Sequence, residues 1–410
     1  MSKLLDIPPA GAGREYGQTL PADAVGHAGM DSVAVYEFLH KTIRNVVPGK
    51  RLQRRCIETL RAALFPEVLK DVRITAVEAL REGAATRAVV HGPSYAPAFR
   101  VKSVDSELPA RFNAPEAHIP ELYEYTFPDG HCFRTFALDR ERRFIADTPA
   151  AFNDLYRNNK DIRTRRPVFI NEDALALNTW HAGGYYTWFA ELVGRMLHCP
   201  AWRNKLLCVD DNFPYQTETF ALLGVPKERV LTVADYRLYR FRSVGVVNAP
   251  PHRCCVPALS AVRELSALVP RGNFEDELPK RLYLGRGDIG NRDVENEDEL
   301  LALLGACGFR KILCAEHPVD MKIRLARNAD AVVCPHGAAA TNLLFCKPGV
   351  RFLEIFPPGF VEGSYVALSQ FMNCEHHVVM GNKSVTGERN SNFYVDIEKM
   401  RQAVDLLLKS

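Results

Sequence analysis

From Arg281 onward the chain alternates short apolar runs with stretches of helical period. The runs are RLYLG (Arg281–Gly285), KILCA (Lys311–Ala315), AVVCP (Ala331–Pro335), VRFLEI (Val350–Ile355) and HHVVM (His376–Met380). A strand with one wet face would alternate apolar and polar residues, so these runs predict strands covered on both faces. The segments around Leu300, Ile323, Asn342 and Leu368 predict the covering helices, and strands alternating with helices make a parallel, Rossmann-like sheet. Ile397, Met400, Val404, Leu407 and Leu408 follow at helical spacing behind Asp396, which predicts a capped closing helix over 396–409.

Upstream, VFI (Val168–Ile170), KLLCV (Lys205–Val209) and RVLTV (Arg229–Val233) predict strands of a second such sheet. Between the first two, a helix is expected from Gly184, with Tyr185, Trp188, Phe189, Leu192, Val193 and Met196 on its apolar stripe and Thr187, Glu191 and Arg195 on a polar face. The proline-bearing stretch Gly245–Pro257 is the expected interdomain linker. The first 150 residues are less legible. RAVVHG (Arg87–Gly92) suggests a strand, and RLQRRCIETLRAALF (Arg51–Phe65) a basic amphipathic helix packed on its own domain rather than on an anionic membrane surface. The expected division is 1–250 and 251–410.

Composition adds exclusions. The 410 residues suit two ordinary domains. A net charge of +3 does not predict a nucleic-acid partner, and the basic clusters Arg51–Arg55 and Arg157–Arg166 read as solvated faces. Eleven cysteines without a C-x-x-C pair read as reduced thiols, not zinc ligands. No run approaches the roughly 18 apolar residues of a membrane span, and MSKLLDIPPAGAGREYG lacks the order of a signal peptide, so a cytoplasmic location is expected.

Two loops carry candidate chemistry. Gly285, Gly287 and Gly290 have G-x-G-x-x-G spacing, and Glu316 ends the next strand where a ribose-binding acid would stand in a dinucleotide enzyme. That fingerprint needs a helix directly after the glycines. Here polar residues follow, and the helix is expected only from Asn296, with Glu299 completing a capping box. Arg286 and Arg292 would then face a phosphate or diphosphate from a long loop at a strand end, with plain surface arginines as the alternative. In the second loop, Gly337 and the small residues from Ala338 open a helix whose free amides favour an anion, with His336, Thr341 and Asn342 as side-chain donors. An ordinary tight turn with a satisfied histidine is the bland alternative there.

Together these residues resemble glycosyltransferase family 61, whose members carry an arginine-rich loop ending in Asn-Glu, a His-Gly-Ala-x-x-Thr-Asn block and a strand bearing a glutamate. In this chain those are Arg286 to Arg292, Asn296 and Glu297, His336 to Asn342, and Glu354. The resemblance runs from about Gly184 to the C-terminus. It implies an α/β GT-B-like architecture, with two Rossmann-like domains facing a cleft, and inverting transfer of a hexosyl or pentosyl group. The donor would be a nucleotide sugar, expected to be UDP-linked, and neither a metal nor a cofactor is needed. Asp210-Asp211 lacks D-x-D spacing, in keeping with this.

By the same resemblance the C-terminal domain holds the donor through Arg286, Arg292, Asn296, His336, Gly337, Ala338, Thr341 and Asn342, with Glu354 on the ribose. The other domain holds a saccharide acceptor. An inverting transfer needs a base, for which Asp211, Glu191 and His181 are the candidates. Surface polysaccharide assembly is the implied setting, with peripheral contact at the cytoplasmic face of a bacterial membrane. One departure is Thr187, where the family commonly has histidine between tyrosine and tryptophan. It motivates the alternative of a catalytically inactive nucleotide-sugar-binding or scaffold protein, and an NAD-dependent Rossmann enzyme is a further one.

Overall fold

The computed structural model describes residues 73–134, 136–145, 162, 165–177, 184–209, 213–233, 237–248, 256–287 and 289–409. All of these but Ile162 fall in one compact unit, Asp71–Phe152 with Arg165–Ser410. The fold is mixed α/β. The helix expected at Arg51–Phe65 lies outside the described residues.

The C-terminal sheet has six strands, all parallel, in the order Arg310–Leu313, Arg281–Gly285, Ala331–Pro335, Arg351–Phe356, Glu375–Met380 and Lys102–Ser103. Successive side chains of a strand point to opposite faces, and both faces are apolar here. Leu282, Leu284, Val332 and Phe352 join the cluster that holds Ile323 and Leu325 of the helix Val319–Asn328. Tyr283, Val333, Leu353 and Ile355 face Leu300 and Leu304 of the helix Glu297–Ala306 and Met400 and Val404 of the closing helix Ile397–Lys409. The Lys399 amide donates to Asp396 Oδ1 at 3.0 Å, the cap expected for that helix.

The N-terminal sheet departs from a plain Rossmann pattern. Tyr239–Val247, Val168–Leu177, Leu206–Val209 and Val230–Thr232 pair in parallel, but Tyr239–Val247 also pairs antiparallel with Leu122–Pro128 and His131–Phe133 in a ten-stranded mixed sheet. The short VFI run is the start of a ten-residue strand. Its register shifts between Ile170 and Asp173, where Asp173 is held by Arg242 and Ser243. The linker expectation also needs correction, since Gly245–Val247 lie inside a paired strand and Val256 opens a helix.

The helix begun at Tyr185 corrects a second expectation. It runs to His198 through a π-helical stretch, Trp188–Val193, and Thr187, Glu191 and Arg195 are all buried. From Thr187 to Met196 every residue of this helix is buried, because one apolar cluster continues from Leu175 and Leu207 through Trp188 and Met196 to Leu282 and Phe352. Inside it, Arg195 donates to the carbonyls of Glu191 and Val247. The two sheets therefore share a core through this helix. Among the described residues no helix is long and apolar enough to cross a membrane.

Candidate functional site

In the C-terminal sheet, Arg281–Gly285 sits between Arg310–Leu313 and Ala331–Pro335, the two strands that follow it in the chain. The chain leaves Arg281–Gly285 and Ala331–Pro335 in opposite directions, and such a reversal opens a crevice at the carboxyl ends of the two strands where ligands bind in open α/β sheets. The loops that leave those ends are the two singled out by sequence. They touch. Arg286 Nη1 donates to the His336 carbonyl at 3.2 Å and Nε to the Asn291 carbonyl at 3.0 Å. A Cβ on Gly337 would lie 2.0 Å from Nη1, so glycine is what lets the guanidinium lie flat on the second loop. Asp293 stands 3.4 Å from Nε, a charge contact without hydrogen-bond geometry.

The glycine loop is not a dinucleotide turn. Residues 291–296 follow Gly290 in non-helical conformation, and the helix begins only at Glu297. The capping box is absent too, because the Asn296 amide accepts from the Val395 amide and donates to the Val395 carbonyl, both at 3.0 Å. Glu316 is exposed in a short 3-10 turn.

Beneath the loops lies a buried polar chain. Glu354 is fully buried, with Oε1 2.6 Å from His336 Nδ1 and Oε2 3.2 Å from His376 Nε2, the latter off hydrogen-bond alignment. His376 Nδ1 meets Ser369 Oγ at 2.8 Å. Burial pushes the Glu354 carboxyl above the usual range. Burial also pushes His336 down to about 3, with Arg292 and Arg286 adding to the effect and Glu362 opposing it. The imidazole is thus neutral at pH 7, tied by Nδ1 and packed against the rings of Phe356, Phe360 and Tyr365.

Arg292 adopts φ 60°, a left-handed conformation that costs a residue with a side chain about 1 kcal/mol. Its guanidinium lies 4.6 Å from the centroid of Phe360, and that of Arg389 lies 4.5 Å from the same ring. Burial and the neighbouring charges of Arg286 and Arg389 lower its pKa. Among the described residues no carboxylate is within ion-pairing reach of Arg292 or Arg389.

The remaining candidates divide. Ala338 is exposed at the head of the expected helix, which takes 3-10 form over Ala338–Phe345. The Thr341 hydroxyl is buried without a hydrogen-bond partner among the described residues. Asn342 accepts from the Tyr185 hydroxyl at 2.9 Å and donates to the Ala339 carbonyl at 2.9 Å, so it joins the second loop to the start of the 185–198 helix. Glu191 is buried within that helix, away from water. His181 and Asp211 lie outside the described residues. Phe360, Tyr365, His376 and Arg389 were not anticipated; the FPPGF turn after the Glu354 strand was the one visible signal, an aromatic beside a tight turn at a strand end.

The sheet, with two loops meeting at its switch point, belongs to the class of open α/β folds whose ligands bind at that crevice. Within that class, the glycosyltransferase 61 family model matches residues 185–353, which include Arg286, Arg292 and the His336–Asn342 block and stop one residue short of Glu354. The chain is also 34% identical over 84 residues to the xylan glycosyltransferase MUCI21 of Arabidopsis thaliana. That similarity covers 20% of this chain and 17% of the plant protein. Both similarities are to glycosyltransferases, and the chain spans only a small part of the plant protein's length.

Proposed function

We propose that the protein is an inverting glycosyltransferase that moves a sugar from a nucleoside-diphosphate donor to a saccharide hydroxyl. The observation that carries the reading is the meeting of the two loops at the switch point. There Arg286 spans from Asn291 to His336, and its Nη2 has no partner among the described residues. As the acceptor oxygen bonds to the anomeric carbon, its proton passes to a base, the bond from that carbon to the phosphate oxygen breaks, and the negative charge falls on the diphosphate. Arg286 and Arg292 take up that charge without titrating, which is the work a divalent metal does in other transferases. The neutral His336 adds a hydrogen bond.

The base is sought on the segments that follow the strands Val168–Leu177 and Leu206–Val209, where His181 and Asp211 stand in the chain. Glu191, buried in its helix, suits the task less well. A GT-B-like cleft between the two sheets, an acceptor held on the N-terminal side and a place in surface polysaccharide assembly at a membrane face belong to the same proposal. They are supported by the family resemblance alone.

The test is a panel of nucleoside diphosphates, nucleotide sugars and NAD in thermal shift, followed by release of nucleoside diphosphate with saccharide acceptors. Stabilisation by nucleoside diphosphates and acceptor-dependent release are expected. Stabilisation by NAD alone would sink the proposal.

A further inference from the structure

The hairpin between Lys383–Ser384 and Phe393–Tyr394 has no place in the sequence reading, yet it is fastened to the arginine loop along its length. The Arg292 amide donates to the Asn390 carbonyl at 3.2 Å and the Asp293 amide to Asn392 Oδ1 at 3.0 Å. Phe393 and Asp293 pair through their backbones at 3.0 Å, and Asn392 Nδ2 donates to Glu295 at 2.8 Å. On the other side, the turn before Phe360 comes so close that a Cβ on Gly359 would lie 2.9 Å from the Glu388 carbonyl oxygen. Hairpin, arginine loop and Phe360 turn are thus built against one another.

This construction brings Arg389 and Arg292 to a single ring, with Arg286 close enough to depress Arg292. Of the three, and among the described residues, only Arg286 has a carboxylate within ion-pairing distance, Asp293. Two guanidinium groups sharing one aromatic platform repel each other, and cation–π contacts offset that only in part. An arrangement held this firmly and left short of negative charge suits an anion with more than one charged centre.

We propose that Arg389, carried by the hairpin, is the third cation of the donor site and engages the second phosphate, so that the site prefers a diphosphate to a monophosphate. The inference rests on the donor-site reading above and adds to it a residue and a ligand preference.

The experiment is calorimetric titration of the full chain with inorganic pyrophosphate and with orthophosphate. The wild type is expected to bind pyrophosphate more tightly. Arg389→Ala should weaken pyrophosphate about tenfold and orthophosphate much less, while Arg389→Lys recovers part of the loss, as suits a charge-assisted contact with a planar fork. Arg401→Ala, at an exposed arginine on the closing helix, should change nothing. If Arg389→Ala binds pyrophosphate like the wild type while Arg292→Ala does not, the role of Arg389 falls and the donor site stands. An equal loss with Arg401→Ala would reduce the effect to general charge and overturn the inference. A wild type indifferent to pyrophosphate overturns both.

Discussion

The guanidinium of Arg286 donates to the backbone carbonyl of His336 at 3.2 Å and occupies the space that any side chain on Gly337 would need. Two strand ends at the switch point of the sheet are thereby joined by one side chain. Gly337 has extended backbone that alanine also adopts, and the group in its way is the free end of a flexible side chain. Gly337→Ala should therefore fold with a loss of less than about 1 kcal/mol while pushing Arg286 off His336. Donor turnover should fall about tenfold or more, as after loss of one charge-assisted contact. Melting curves and initial rates on the same preparation check both halves.

Arg292 separates backbone strain from function. Arg292→Ala keeps the positive φ and removes the guanidinium, whereas Arg292→Gly removes both. Turnover should drop on the order of a hundredfold in each, since charge on the leaving group goes uncompensated. The glycine variant should be more stable than the alanine variant by about 1 kcal/mol. Equal turnover to wild type in either would take Arg292 out of the site.

Glu354 is spent between two histidines. Glu354→Ala should cost about 2–4 kcal/mol in urea unfolding, because it leaves a cavity and deprives His336 of its partner. Glu354→Gln keeps the shape and an acceptor for Nδ1, and should cost about 1 kcal/mol. Were the carboxylate a ribose ligand instead, both variants would weaken nucleoside relative to pyrophosphate binding, a split that the buried geometry does not predict.

Stability should fall in mild acid. Burial lowers His336 to about 3 and His131 to about 4, whereas the unfolded imidazoles titrate near 6.5. In that window the unfolded chain binds more protons, so the contribution is whole above 6.5 and is lost as pH falls towards the folded values. The raised Glu354 carboxyl acts the other way: it holds its proton above the unfolded value of 4.5, and the stability it adds is lost as pH rises through its folded pKa. His131→Asn, in the N-terminal sheet, should flatten the acid limb of a melting-temperature profile by one proton's share, at most about 1.4 kcal/mol per pH unit. An unchanged limb would show that His131 does not stay neutral in the fold.

Much of the C-terminal sheet could be read from the chain. Arg281–Gly285 and Ala331–Pro335 were expected to the residue, since a strand covered on both faces announces itself in a run of five side chains. The 185–198 helix was legible in its apolar stripe but not in its other face. Thr187, Glu191 and Arg195 look like a solvated face until the shared core closes over them. Asn296 shows the same limit. Its position before a leucine-rich run fits an N-cap, but its amide is claimed by Val395, far along the chain.

By itself, the sequence determined the doubly covered sheet and which loops leave its strand ends, because periodicity is a property of neighbouring residues. Only the tertiary structure decided how the polar groups are used: Arg286 laid on Gly337, Glu354 closed between His336 and His376, Arg389 brought beside Arg292 on Phe360. Those pairings join segments remote in the chain. The first two follow from the demand that buried polar groups find partners, which no local pattern records.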